Sequence, residues 1–179
     1  KIVIYCYEDG SRGRKVLKEI LKDRQVKALQ SDGYNVYMYI DKELVDTEHL
    51  CCLAHARAKF VLPPTHPPRG ELMDKAVNYL QIFWKQLFAY LNDGRYDIDN
   101  SIAERFIRPL AGERKNSLFF VGSRMANVSA AYHTLLSTCR MNGLSALEYL
   151  KKFFHEIVKG RKDYENLLPM TIGINTNKY

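Results

Sequence analysis

No stretch of about 18 apolar residues occurs in the 179-residue chain, so a membrane-spanning helix is not expected. The N-terminus lacks the charged, apolar and small-residue order of a signal peptide. Cysteine is scarce, with four in all at positions 6, 51, 52 and 139. None stand in C-x-x-C spacing, which argues against a zinc ribbon or a thioredoxin-like dithiol. These absences predict an intracellular, soluble protein with reduced and mostly buried thiols. Internal repeats and low-complexity segments are also missing, and Trp84 is the single tryptophan. There is no leading Met or loop either: Lys1 runs straight into the apolar residues 2–7, as expected of a chain cut from something longer.

What is present suits one domain. A hydrophobic content of 46% can build an ordinary core, and 27 Lys and Arg against 20 Asp and Glu leave a net charge of +7. That balance favours polyanionic partners without choosing between DNA, RNA and acidic lipid. Residues 1–8 are rich in β-branched and aromatic side chains and read as a strand closed by Asp9-Gly10. Val16, Leu17, Ile20 and Leu21 then stand at helical spacing within residues 14–23. A second strand over 26–30 ends at Ser31-Asp32-Gly33, a helix follows over 35–44, and a third strand covers 49–54. Strands alternating with helices predict parallel βα units in an α/β sheet, with the three strands as neighbours.

Four of the six prolines fall between positions 63 and 68, a segment that can neither continue a helix nor pair inside a sheet. Beyond this linker the pattern turns helical. Leu72, Ala76, Leu80, Phe83, Leu87 and Leu91 mark one face of a long helix stopped at Asn92-Asp93-Gly94, where a left-handed cap is expected, and Trp84 beside the stripe is read as core packing. A helix over 126–141 ends at Asn142-Gly143. Another begins at Ser145-Ala146-Leu147-Glu148, a capping-box pattern, and ends at Gly160. The chain thus divides into βα strands (1–62), a linker (63–70), a helical part (71–170) and a tail (171–179).

Two acids stand where chemistry can collect. Asp32 follows the second strand, and the carboxyl ends of parallel strands gather ligands in open α/β sheets. An Asp-Gly turn explains the same residue without function. Glu104 lies in Asn100-Ser101-Ile102-Ala103-Glu104-Arg105, leading into a short helix that Pro109 is expected to halt. Here a cap on Ser101, or a pairing with Arg108 four residues on, is the plain alternative. Around Glu104 stand Arg105, Arg108, Arg114, Lys115 and Arg124, with Phe119 and Phe120 among them, a set able to neutralise backbone phosphates or merely to form a solvated face. Cys52 precedes His55 by three residues. A zinc site there would need His49 or His66 from poorly placed loops, and none is expected.

Taken together, three stretches resemble the transposases of the insertion sequence sixty-six family: Leu29-Gln30-Ser31-Asp32-Gly33-Tyr34, Cys52-Leu53-Ala54-His55-Ala56-Arg57-Ala58-Lys59-Phe60, and Ile98 through Pro109. The likeness continues through Arg114 to Phe119 and the helix with Ala130-Ala131-Tyr132, covering nearly the whole chain. It implies a DDE enzyme of bacterial DNA transposition, cytoplasmic and nucleoid-associated, acting on transposon ends and target DNA, with a homo-oligomer in the transposition complex. It also implies a truncated ribonuclease-H-like, retroviral-integrase-like sheet with packed helices and a helical C-terminal half.

By the same resemblance Asp32 is the second catalytic acid and Glu104 the third, both ligands to Mg²⁺ or Mn²⁺, and two ions serve the complete enzyme. Arg57 and Lys59 join the basic set as DNA-binding residues. The first acid has no matching position, and the helical insertion usual before the long helix is reduced to residues 61–70. This chain alone is therefore expected to be inactive. A catalytically silent DNA-binding or assembly module, and a ribonuclease-H-like nuclease unconnected with transposition, are the competing functions.

Overall fold

In a computed structural model, the described residues are 1–8, 11, 13–22, 25–44, 46–61, 69–117 and 122–174. For residues 39, 41, 69, 114, 116 and 117 only the backbone is described. The chain forms two compact units, one of residues 11–104 and the other of residues 1–10 with 105–179.

The first unit holds α1 (Arg14–Leu21), β1 (Ala28–Ser31), a 3₁₀ turn (Asn35–Tyr39), α2 (Ile40–Glu43), β2 (Glu48–Cys51), α3 (Leu53–Ala58) and α4 (Arg69–Phe88). β1 and β2 pair in parallel with Ala28 opposite Glu48 and Ser31 opposite Cys51. The ladder is extended by Glu48 N–H to the Lys27 carbonyl at 2.9 Å and by Cys52 N–H to the Ser31 carbonyl at 3.0 Å. So the expected parallel βα unit is present, mixed α/β in character. α4 covers it with Phe83 and Leu87, which are buried with Cys51 and Ala56 and flanked by Met38, Leu53, Tyr79 and Leu80. Burying a side chain such as Phe83 or Leu87 contributes roughly 1.5–3 kcal/mol.

The expected helical stripe thus buries Ala76, Phe83 and Leu87, but it does not hold to its end. The helix kinks at Phe83 (φ −105°, ψ 15°) and passes after Phe88 into a 3₁₀ turn (Ala89–Asn92), which rotates Leu91 off the buried face. Trp84 is 59% exposed, stacked obliquely on Phe88 at 4.6 Å, so it is surface and not core packing. Gly94 is absent from the positive-φ residues, and the helical run ends with Asp93 in an extended conformation in place of a left-handed cap.

α5 (Ser101–Ser117) begins in the first unit and continues into the second, which also holds α6 (Ser123–Met141), α7 (Ala146–Val158) and a 3₁₀ turn (Tyr164–Leu167). Pro109 lies inside α5 and does not stop it. The ring removes one backbone donor, and the remaining turns carry the helix past that single loss. Cys139, Tyr149, Leu167 and Ile172 form the core of this unit. Both predicted glycine stops are met. After α6 the Gly143 N–H reaches the Arg140 carbonyl and the Leu144 N–H the Cys139 carbonyl, with Gly143 at φ +67°, and the same pair of bonds follows α7 at Gly160 and Arg161.

Residues 1–8 correct the sequence reading. Their exposure alternates along Val3 to Glu8, yet they are not part of the sheet formed among the described residues. Their backbone is held instead by α6: Val3 N–H donates to Thr138 Oγ1 at 3.1 Å and Tyr5 N–H to Thr134 Oγ1 at 3.0 Å, while the Asn142 amide reaches the Lys1 carbonyl at 2.7 Å. Threonine hydroxyls four residues apart on one helix face supply the partners that a neighbouring strand would have given. The sheet of the described residues is two-stranded.

Candidate functional site

Everything in the site belongs to residues 11–104. Asp32 comes directly after β1, where the chain must leave the sheet. Gly33 makes the turn at φ +75°, and an added Cβ there would lie 2.0 Å from the Tyr79 hydroxyl oxygen, so only glycine fits. The Gly33 N–H donates to Ser31 Oγ at 3.2 Å, and Ser31 Oγ also meets His49 Nε2 at 2.9 Å in a buried pair. Asp32 Oδ1 accepts the Tyr34 N–H at 3.1 Å, and the Asp32 carbonyl accepts the Tyr79 hydroxyl at 3.2 Å. The turn reading of Asp-Gly is therefore true of the backbone, and Asp32 is also one of the residues lining a cleft.

That cleft, of about 260 Å³, is walled by Leu17, Leu29, Asp32, Tyr37, Asn100 and Glu104 among others. Three bonds bring the Glu104 segment to the strand ends. Gln30 Nε2 donates to the Asp97 carbonyl at 2.9 Å, Leu53 N–H to the Ile98 carbonyl at 3.0 Å, and Asn100 N–H to Cys52 Sγ at 3.4 Å. The start of α5 is capped by Asp99, whose Oδ1 accepts the Ser101 N–H at 2.8 Å; hydrogen bonding to Ser101, through its side chain first and then through that amide, holds the Asp99 carboxyl below the usual carboxylate range. Glu104 does not serve that amide. Its carboxylate lies 3.8 Å from His55 Nε2.

Asp32 also borders a second cleft of about 390 Å³ with Tyr34, His55, Lys59, Asn78 and Tyr79. Lys59 sits 5.5 Å from the centre of the Tyr79 ring, a cation–π distance. Burial, and then the nearby Cys51, Asp32 and Cys52, push the Tyr79 hydroxyl up to about 12. Sequence reasoning missed Tyr79 and Asn100. Tyr79 had a signal, since it stands on the α4 face between Ala76 and Phe83, whereas Asn100 carries none beyond its place beside Glu104 in the sequence.

Of the predicted basic set, Lys59 lines a cleft with Asp32, and Arg57 is exposed on α3 of the same unit. Arg105, Arg108 and Lys115 are exposed on α5 and Arg124 on the first turn of α6, all in the other unit. The Arg114 side chain, Phe119, Phe120 and His66 lie outside the described residues. His49, weighed as a loop ligand, is in β2 and bonded to Ser31.

Asp32 and Glu104 are the hard oxygen donors that Mg²⁺ prefers. Among the described residues, however, no three His, Cys, Asp or Glu group so as to hold a metal ion. The two acidic side chains suit a divalent cation in kind. No helix of the described residues is long and apolar enough to cross a membrane.

The geometry gives a parallel βα unit with Asp32 after its first strand and Glu104 on α5 lining one cleft, and sequence comparison gives the family. The model of the Transposase IS66 family matches residues 1–63 and 63–128. The chain belongs to the IS66 family of transposases. Among curated proteins it is similar to uncharacterized protein y4qI of Sinorhizobium fredii (strain NBRC 101917 / NGR234), 38% identical over 97 residues, covering 53% of this chain and 18% of that protein. It is also similar to uncharacterized protein y4jD of the same strain, 32% identical over 98 residues, 53% of this chain and 19% of that protein. The match thus spans less than a fifth of the length of these relatives. No solved structure matches.

Proposed function

We propose that this chain is part of the catalytic core of a transposase that cuts and joins DNA, with Asp32 and Glu104 as two of its metal-binding acids. One observation supports this above the others: Asp32 and Glu104, two acidic residues 72 positions apart, are both in the lining of a single cleft at the carboxyl end of a parallel strand. In this reading β1 and β2 belong to a ribonuclease-H-like sheet completed in the whole protein, which also supplies the remaining acid. Mg²⁺ or Mn²⁺, when bound, would neutralise charge on the phosphoryl oxygens during displacement. Asp32 and Glu104 would hold the cation, and Lys59, Arg57 and the exposed arginines of α5 and α6 would meet backbone phosphates.

The test uses the whole protein with Mg²⁺ and duplex oligonucleotides carrying the element's ends. Asp32→Asn and Glu104→Gln, each removing charge while keeping shape, are expected to slow cleavage by more than about 100-fold, beyond the loss typical of a ligand's outer neighbours. Wild-type cleavage by Glu104→Gln would remove that carboxylate from the mechanism. The 179-residue chain alone should bind Mn²⁺ weakly and join no strands, and robust joining by it would show the first acid to be within it.

A second reading, a DNA-binding or assembly module without catalysis, draws on the lack of a three-residue metal group among the described residues. Under both readings, replacing Arg105, Arg108, Arg114 and Lys115 with Ala should flatten the dependence of log K on log salt by up to about 0.9 per lost phosphate contact. Cleavage without strand transfer would instead indicate a ribonuclease-H-like nuclease.

A further inference from the structure

The short α3 touches the Glu104 segment at both ends of its first turn. Cys52, its N-cap residue, is fully buried and offers Sγ to the Asn100 N–H at 3.4 Å. Three residues on, His55 brings Nε2 to 3.8 Å from Glu104 Oε1, inside ion-pair range and beyond hydrogen-bonding range. His55 Nδ1 is buried with no hydrogen-bond partner. That orphan atom decides the tautomer. A buried N–H without a partner costs more than a buried lone pair, and a lone pair on Nε2 would face the carboxylate with like polarity. The proton therefore belongs on Nε2, aimed at Glu104.

We infer that His55, with Cys52 as its fixed end, is a positioning residue that holds the Glu104 carboxylate in the cleft it shares with Asp32. The role rests on the reading of those two acids as cation ligands. It explains a half-exposed imidazole with one nitrogen buried and unpaired, which a surface histidine has no reason to keep. Cys52 fixes the backbone where α5 begins, and His55 limits where the side chain one turn into α5 can swing. A carboxylate restrained in this way loses less freedom when it takes a ligand, so the imidazole acts through Glu104 and never needs to touch the cation itself.

The 179-residue chain is tested directly, with two readouts. Mn²⁺ affinity, followed by electron paramagnetic resonance, is compared for the native chain, Asp32→Asn, Glu104→Gln, His55→Ala and His55→Gln. Hydrogen exchange of the amides at residues 101–104 is measured on the same proteins without metal. His55→Ala is expected to weaken Mn²⁺ binding by about 10-fold, in the range typical of an outer-shell partner, and to speed exchange at 101–104. His55→Gln, which keeps an N–H donor near the Nε2 position, should recover most of both. His55 is partly exposed, so its variants should melt close to the native chain. If the two acids matter for Mn²⁺ and His55→Ala changes neither readout, the inference is overturned and the assignment of the acids stands. If His55→Ala and His55→Gln are equally impaired, the imidazole is packing and not positioning. Should Asp32→Asn and Glu104→Gln leave Mn²⁺ binding unchanged, the assignment of the acids falls and this role falls with it.

Discussion

The unit of residues 11–104 and the unit of residues 1–10 with 105–179 bury different things. In the first, polar groups go inside: Ser31, His49 and Gln86 are buried at or beside the strands, and Gly33 turns at positive φ under a tyrosine ring. In the second, Thr138 is the one buried polar side chain among the described residues, and Cys139, Leu167, Ile172 and the ring of Tyr149 form a core closed by two helix stops of the same design. The helix ends of the second unit are set by rules that act within a few residues, while the first unit uses backbone constraint and longer-range bonds to place Asp32 and the Glu104 segment around one cleft. Local strain and buried polar networks collect where a site is built.

The sharpest way to break that contrast is Gly33→Ala. The new methyl would stand 2.0 Å from the Tyr79 hydroxyl oxygen and 2.8 Å from the ring carbon bearing it, on a backbone that disfavours any Cβ. A loss on the order of 3 kcal/mol is expected in denaturant unfolding, confined to the unit of residues 11–104. Adding Tyr79→Phe should return only part of it, because the ring carbon remains in the way. A stability change below about 1 kcal/mol would mean that the turn relaxes freely and that the site is not held rigidly.

How much of this was legible beforehand follows the same division. Asn142-Gly143, Ser145 and Gly160 each announced a helix end, and each does so in the structure, because caps are satisfied by atoms within one turn. The Asp32 turn and the parallel pairing of β1 with β2 were legible from strand and turn residues. Residues 1–8 were not, since a run of β-branched and aromatic residues looks the same whether a strand or the threonines of a distant helix satisfy its N–H groups. Pro109 misled for a related reason: it removes one bond, and seventeen residues of α5 outweigh it. The meeting of Glu104 with His55 depends on bonds between segments some 50 positions apart, which no local pattern carries.

Next in size is Tyr149→Phe. The Tyr149 hydroxyl donates to the Leu167 carbonyl at 3.1 Å from a fully buried position, and its loss leaves that carbonyl without its donor, costing roughly 1–3 kcal/mol. The same variant sharpens the comparison through pH. Burial pushes both Tyr149 and Tyr79 from about 10 up to about 12. With folded values above the unfolded ones, each tyrosine's contribution is full below pH 10 and is lost as pH rises through about 12. Tyr149→Phe should flatten the alkaline loss of the helical unit, followed by amide exchange near Leu167, and leave that of the other unit in place. Equal flattening in both would mean that the two units do not melt separately.

The smallest effects concern the caps, one at the start of α5 and one at the start of α7. Ser145 Oγ accepts the Glu148 N–H at 3.4 Å, and the Glu148 carboxylate pairs with Lys151 at 2.9 Å, so half of the predicted capping box is in use. Ser145→Ala should cost about 1 kcal/mol or less, at the low end for a cap because the bond is long. Asp99 caps α5 with a charged oxygen at 2.8 Å, and its folded value lies below the unfolded one. Its contribution is therefore present above the ordinary carboxylate value and is lost as pH falls, whereas the Ser145 hydroxyl does not titrate. Acid should thus loosen residues 101–104 while leaving the first turn of α7 protected, as read by amide exchange as the pH falls below the ordinary carboxylate value. Asp99→Asn keeps the acceptor and drops the charge, so it should remove the acid step without unwinding α5. If both helix starts loosen together in acid, the contrast between a charged cap at the site and a neutral cap in the helical unit is wrong.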